Sequence, residues 1–274
     1  MEKIKKAASS VYLWLIVIFL YAPILTLVVL SFNESKSRAH WGGFSLRWYV
    51  EMLENEDILL ALENTLLIGF VSALIATVLG TMAAIAISRM KPAARNTIMG
   101  ITNIPMLNAD IVTGISLMLC FIAFRISLGF KTILIAHITF NLPYVILSVM
   151  PKLKQASQVN YEAALDLGAT PLQAFFKVVL PDIMPGVLSG FLLAFTMSLD
   201  DFIITHFTRG AGINTISTLV YSEVRRGINP AMYALSTVIF AAVFVVLVLM
   251  NYAPDWLEAG KARAKGETES RKEG

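Results

Sequence analysis

Residues 161–186 read YEAALDLGATPLQAFFKVVLPDIMPG, the longest charged and polar interlude in an otherwise apolar chain. Glu162, Asp166, Gln173, Lys177 and Asp182 cannot stand unpaired in lipid, so the segment belongs at or outside a membrane face. Its local grammar is two short helices around a corner. Gly168 can end the first helix in a left-handed conformation at no steric cost. Thr170-Pro171-Leu172-Gln173 then supplies an N-cap hydroxyl, a proline at the first helical position and a glutamine three residues on, the pattern of a capping box. Leu172, Phe175, Phe176 and Val179 fall at i, i+3, i+4 and i+7, one apolar stripe. Leu180-Pro181 and Pro185-Gly186 are expected to stop that helix and begin the next apolar run. Pattern alone leaves two uses open for the stripe: packing on its own protein, or docking a partner.

Composition sets the solvent in which this corner sits. Of 274 residues, 57% are hydrophobic and 15% charged, with a mean hydropathy of +0.70. A soluble domain carries about 25% charged residues, so the chain reads as an all-α integral membrane protein. The single cysteine, Cys120, excludes an intrachain disulfide and is expected to be buried as a small hydrophobe. There is no Gly-x4-Gly-Lys-Ser/Thr motif to cradle a nucleotide phosphate, so any ATP used must be bound by another chain.

Six apolar runs follow along the sequence, at 11–30, 61–88, 97–124, 132–150, 186–207 and 231–251. The first is too long for a signal-peptide core of about 7–15 residues, and is read as a retained span with a tolerated Pro23. Between the first two runs, a short surface helix is expected from Ser45, with Leu46, Tyr49, Val50 and Leu53 as its apolar stripe. Trp48 falls on the opposite face. It reads as part of an interfacial aromatic belt with Trp41 and Tyr49, or as a residue meeting a solute at the external mouth. The third run is interrupted at its start by Asn103, Pro105, Asn108 and Asp110. Irregular backbone at that depth is tolerated only against protein or a water-filled cavity. His137, in the fourth run, reads as a hydrogen-bonded packing residue without a second ligand for a metal. Residues 208–230 form an external loop with a turn at Gly210-Ala211-Gly212. Residues 1–255 are read as one transmembrane domain, and 256–274 as a charged tail expected to be disordered.

Lysine and arginine counts orient the chain. The side holding the N-terminus, Arg89 to Arg95, the 161–186 corner and the tail carries 14, against 8 on the other side. The positive-inside rule therefore puts the corner and both termini in the cytoplasm.

Carboxylates inside spans are expensive and are candidates for a solute path. Three occur here: Asp110, Asp200 and Asp201. Treated as one helix, the fifth run aligns Ser198, Asp201, Thr205 and Thr208 at i, i+3, i+7 and i+10, a polar stripe, while Asp200 points about 100° away. Asp201 is therefore expected to be the principal carboxylate of the path. The alternative is that these acids cap a helix break or pair with a loop residue such as Arg125. No span holds a Lys or Arg to neutralise them. A substrate bearing amines would supply that charge and suit aromatic rims through cation–π contact.

Glu162-Ala163-Ala164, Gly168 and Leu180-Pro181 resemble the EAA loop of permease subunits from ABC importers, with Val178 where the family pattern has an isoleucine. Phe44 to Tyr49, Asp110 to Leu117, His137 to Phe140 and Ser198 to Phe202 resemble, more specifically, the permeases of bacterial spermidine/putrescine importers. That family would place a proline before the aspartate, where this chain has Ala109. The resemblance implies a type I, MetI-like fold of six transmembrane helices with a cytoplasmic EAA coupling hairpin. It implies Glu162, Ala163, Ala164, Gly168, Leu180 and Pro181 as ATPase-coupling residues, and Trp48, Asp110, Ser198, Asp200 and Asp201 as the substrate path. It also implies an inner-membrane complex of two related permeases, two ATPase subunits that hold ATP and magnesium, and an extracytoplasmic polyamine-binding protein. This chain itself would bind no cofactor and catalyse nothing. Two other classes remain open from the residues alone: a proton-coupled secondary transporter of a cationic solute, and a structural membrane scaffold. Transporters of the first class often carry inverted repeats, which are not visible here. A scaffold leaves intramembrane acids as an unexplained cost.

Overall fold

The computed structural model describes residues 2–156, 158–227, 229–241 and 244–245. Regular structure among the described residues is helical, apart from one isolated bridge between Asn33 and Phe44. The chain divides into two compact units, 1–55 with 226–274 and 56–225.

The first unit begins with α1 (Glu2–Ser31), apolar over most of its length, with Pro23 inside it. After it Asn33 ties a loop together. Its amide nitrogen donates to the carbonyls of His40 (2.9 Å) and Ser37 (3.3 Å), and its side-chain oxygen accepts from the N–H of Gly42 (2.8 Å) and Ser35 (3.2 Å). The short helix expected from Ser45 is α2 (Arg47–Glu54), but its polarity is reversed. Leu46, Val50 and Leu53 are exposed, whereas Trp48 is fully buried and its indole N–H donates to the Asn33 carbonyl at 2.6 Å. Trp48 thus closes the loop rather than lining a mouth, because a buried indole N–H needs a partner and finds one in its own unit. Trp41, by contrast, is half exposed.

The second unit is built on three helices that all touch one another, α3 (Glu56–Ser88), α6 (Phe130–Gln155) and α9 (Leu180–Asp200). Their shared core is Ala73, Ala76, Ala84, Val145, Ile146, Val149, Ile183 and Ala194. Small residues allow the close approach, since lipid supplies no hydrophobic force between helices and packing must hold them. A Cβ on Gly80 would stand 2.7 Å from a Val145 methyl, and one on Gly186 would stand 3.0 Å from the Ser148 carbonyl oxygen. The outward faces are apolar instead, with Leu66, Leu67, Phe70, Leu74 and Val78 exposed on α3.

Among the described residues, four helices are long and apolar enough to cross a membrane: Ser10–Ser31, Glu56–Ser88, Phe130–Gln155 and Pro171–Asp200. The run expected as a third crossing at 97–124 is instead two helices, α4 (Pro92–Leu107) and α5 (Asp110–Ala123), bent by 103° at their junction. Pro105 sits within α4, and the break falls at Asn108 and Ala109, both extended. Ala109 has φ −64°, the angle a proline would impose, and Asn108 has the extended shape a residue before proline adopts. The backbone at 108–109 would therefore accept a proline at 109. Cys120 on α5 is exposed, not buried as expected, because α5 turns that side away from the unit.

The fifth run also departs from expectation. Its helix ends at Asp200, and a separate helix α10 (Ile203–Thr208) follows. The loop expected at 208–230 contains α11 (Ile216–Arg226), and its glycine turn is as expected, with Gly210 and Gly212 at φ +65° and +86°. The sixth run begins as an apolar helix, α12 (Ala231–Ala241). Residues 246–251 of that run and the tail 256–274 lie outside the described residues.

Candidate functional site

The polar residues of the fifth run do line up, but toward α6. Asn141 donates to the Ser198 hydroxyl at 2.8 Å, and Ser198 meets Ser72 of α3 at 3.1 Å. His137 Nε2 lies 2.9 Å from the Thr205 hydroxyl and 3.4 Å from an Asp201 carboxylate oxygen. Thr132 donates to the Thr208 carbonyl at 2.7 Å. Asn141, His137, Ser198, Thr205 and Thr208 are all buried, so this is a sealed polar seam between helices. The proton positions follow from the network. The Thr205 hydroxyl has one proton, which it gives to Asp201 at 2.9 Å, so His137 Nε2–H must be the donor to Thr205. His137 Nδ1 finds no hydrogen-bond partner, nor does the Asn141 amide oxygen one turn along α6.

Asp201 is consumed by this seam. Its carboxylate accepts from the backbone N–H of Ile204 (3.2 Å) and Thr205 (2.8 Å), the first turn of α10, and its side chain is 7% exposed. This is a cap on a helix break, the alternative its position allowed, whereas the expectation that Asp201 leads a solute path placed it on a continuous stripe. The expectation assumed one unbroken helix; a carboxylate that can bond free N–H groups stabilises the break instead. Ser198, expected on the path, is likewise 4% exposed and bonded within the seam.

Asp200 and Asp110 have the opposite setting. Both are exposed, Asp200 as the last residue of α9 and Asp110 as the first of α5, so each stands at the edge of a break. No Lys or Arg among the described residues forms an ion pair with either. Next to Asp200 is a cluster that sequence reasoning missed. Phe202 lies 4.5 Å from Tyr221 and 5.2 Å from His206, and the Arg225 guanidinium stacks 4.7 Å over Tyr221. Only the break after Asp200 lets α10 meet α11, so no periodicity along the fifth run could have announced this cluster.

The 161–186 corner forms much as its residues dictate. Helix α7 (Gln158–Asp166) ends at Gly168, φ +86°, with Ala169 N–H bonded to the Ala164 carbonyl and Gly168 N–H to that of Leu165. That pair of bonds is the Schellman closure. Thr170 and Gln173 cap the next helix, α8 (Pro171–Ala174), reciprocally at 3.3 and 3.1 Å. Helix α8 does not stop at Leu180-Pro181. It widens into a π turn at Phe175–Val179, where Leu180 N–H reaches the Phe175 carbonyl, and runs on into α9. The wide turn makes room for the Pro181 ring, which would otherwise strike a carbonyl one turn back. It also splits the expected stripe. Leu172 and Phe176 stay outside, 70% and 58% exposed, while Phe175 and Val179 turn toward α3 and α6. Glu162, Ala163 and Pro181 are exposed, and Ala164 and Leu180 half-buried.

The sequence profile described as "Binding-protein-dependent transport system inner membrane component" matches residues 76–262. The chain belongs to this family. It is 43% identical over 235 residues to the putrescine transport system permease protein PotI of Escherichia coli K12, covering 83% of this chain and 84% of that protein. It is 35% identical over 240 residues to the spermidine/putrescine transport system permease protein PotC of Haemophilus influenzae, covering 88% and 93%. Among solved structures, a chain of a bacterial ABC transporter involved in the import of the acidic polysaccharide alginate superposes with a TM-score of 0.68, at 17% identity, over 91% of this chain and 93% of that one. The MetNI methionine ABC transporter, in an inward-facing form, gives 0.56 at 20% identity over 74% and 97%. The fold is thus that of ABC importer permeases, and the same fold serves an acidic polysaccharide, an amino acid and, by name, polyamines. Substrate charge must be argued from the site.

Proposed function

We propose that this chain is the membrane-spanning permease subunit of an ATP-driven importer for polyamines, held with its termini and coupling hairpin in the cytoplasm. The observation that carries the substrate class is the pair Asp110 and Asp200, exposed carboxylates at two span breaks with no basic partner among the described residues. A polyamine supplies the missing positive charge through ammonium–carboxylate hydrogen bonds, and Phe202 and Tyr221 offer aromatic faces beside Asp200. The relatives named for putrescine and spermidine support the same class.

The drive comes from partners. A second related permease would complete the path, two ATP-binding subunits would dock on the hairpin around Glu162, Ala163, Ala164 and Gly168, and an external binding protein would deliver substrate. A solved relative of the same fold, the alginate transporter, was captured with its pentasaccharide-bound periplasmic protein, which supports that last partner.

The test is uptake of labelled putrescine and spermidine in cells carrying the whole complex, with membrane abundance measured alongside. Asp200→Asn and Asp110→Asn should each lower uptake by about tenfold at normal abundance, since a hydrated path screens the loss of a charge pair. Asp200→Glu should retain most of it. Normal uptake of both substrates by the two asparagine variants would remove the charge argument and leave the substrate open.

A further inference from the structure

On the inner side of the coupling hairpin lies a cavity of about 810 Å³, within the range of roughly 300–1,000 Å³ typical of ligand sites. Its apolar floor is formed by Met150 of α6, Phe175 and Val179 of the π turn, and Ile85 of α3. Its rim is cationic. Arg89 follows the end of α3, Arg95 starts α4 and Lys154 ends α6, while Glu162 is the carboxylate among the lining residues. Arg89 is positioned, its guanidinium stacked 5.7 Å from the centre of the Tyr161 ring. Three cations around one apolar pit make little sense for a pathway that carries amines, and the polyamine reading leaves them without a role.

We propose that this groove binds the headgroup of an anionic phospholipid, its phosphate among Arg89, Arg95 and Lys154 and its glycerol end on the apolar floor. Two features favour a lipid over a protein side chain. The cations sit where spans α3 and α6 end, the level at which headgroups lie, and basic pockets between span ends suit anionic lipids. The groove also opens on the inner side of the hairpin, whereas the residues left for a docking partner, Leu172 and Phe176, are outside. A lipid there wedges the hairpin against the spans and makes coupling sensitive to membrane charge. The inference rests on the chain spanning a membrane and is independent of which solute it carries.

The assembled complex, purified in detergent and stripped of lipid, is offered phosphatidylglycerol or phosphatidylcholine, and retained lipid is measured by native mass spectrometry. Wild type should retain phosphatidylglycerol preferentially. Arg95→Gln with Lys154→Gln should lower that retention on the order of tenfold, with phosphatidylcholine unchanged and the ATPase still bound. Arg95→Lys with Lys154→Arg should keep it. If the glutamine pair fails to assemble, Lys154→Gln alone, at an exposed position, should still lower retention. Equal retention of the two lipids, or no change in the variants, overturns the proposal. So does loss of the ATPase with lipid retention intact, which would assign the groove to the partner protein. Displacement of the lipid by inorganic phosphate as effectively as by phosphatidylglycerol would make it a free-anion site instead. Polyamine uptake, read in the same variants, separates failure of this proposal from failure of the transport assignment.

Discussion

The seam along α6 and the coupling hairpin are mirror images in chemistry. The seam places Asn141, His137 and Asp201 in the protein interior, each bonded to another part of the same chain. The hairpin puts Leu167, Leu172 and Phe176 in the open, between 58% and 88% exposed. In a membrane subunit the buried polar groups hold the helices to one another, and the exposed apolar groups await neighbours. Adjacent residues can fall on opposite sides of that division, as Asp200 and Asp201 do.

Asp201→Ala should break the comparison most severely. It leaves two α10 N–H groups and the Thr205 hydroxyl without their acceptor, and each buried group left unsatisfied costs about 1–3 kcal/mol. Membrane abundance and uptake should fall together, and normal abundance with lost uptake would return Asp201 to the path. Gly168→Val comes next. The left-handed backbone costs a residue with a side chain roughly 1–2 kcal/mol, and more for a β-branched one. No atom lies within 4 Å of the added Cβ, so the strain stays in the corner. ATPase co-purification should drop while the spans keep their thermal stability. Leu172→Ser with Phe176→Ser should change stability by less than about 0.5 kcal/mol, because both side chains are already exposed, yet should loosen the ATPase. A large loss of stability there would mean the hairpin folds onto something in its own chain. The smallest effect belongs to Ala109→Pro. The backbone at Ala109 and Asn108 already suits a proline, so stability should change by under about 1 kcal/mol, in the favourable direction. A thermal melt of the purified complex reads it.

Much of the hairpin is legible in sequence because its signals are local. Gly168, Thr170 and Gln173 act on groups within five residues of themselves, and each forms the bond its chemistry requires. The interruption of the third run is legible in Asn103, Pro105, Asn108 and Asp110, but the fifth span escapes such a reading where the Asp201 carboxylate stabilises a break. Periodicity assumes one helix, and Asp201 looks like a stripe residue only if the helix does not end one position before it. His137 is readable as a packing residue from its apolar surroundings, but its partner Thr205 lies 68 positions away and gives no sequence signal. Trp48 does point away from its helix's apolar stripe. A mouth-lining role does not follow from that direction, because the apolar stripe of α2, not the tryptophan, faces out.

The π turn at Phe175–Val179 has a mechanical consequence. By bridging rather than ending the second hairpin helix, it makes Pro171–Asp200 one rod of 30 residues, roughly 45 Å at 1.5 Å each. One end is the corner at Gly168 and the other is the carboxylate of Asp200, followed at once by the helix break that Asp201 caps. A stiff rod has no slack to absorb a push. Any displacement of the corner must arrive at the far end as a tilt or a shift, at the break between Asp200 and α10. A push applied at the corner would thereby be delivered, without intermediate parts, to an acidic residue at the far end of the same rod.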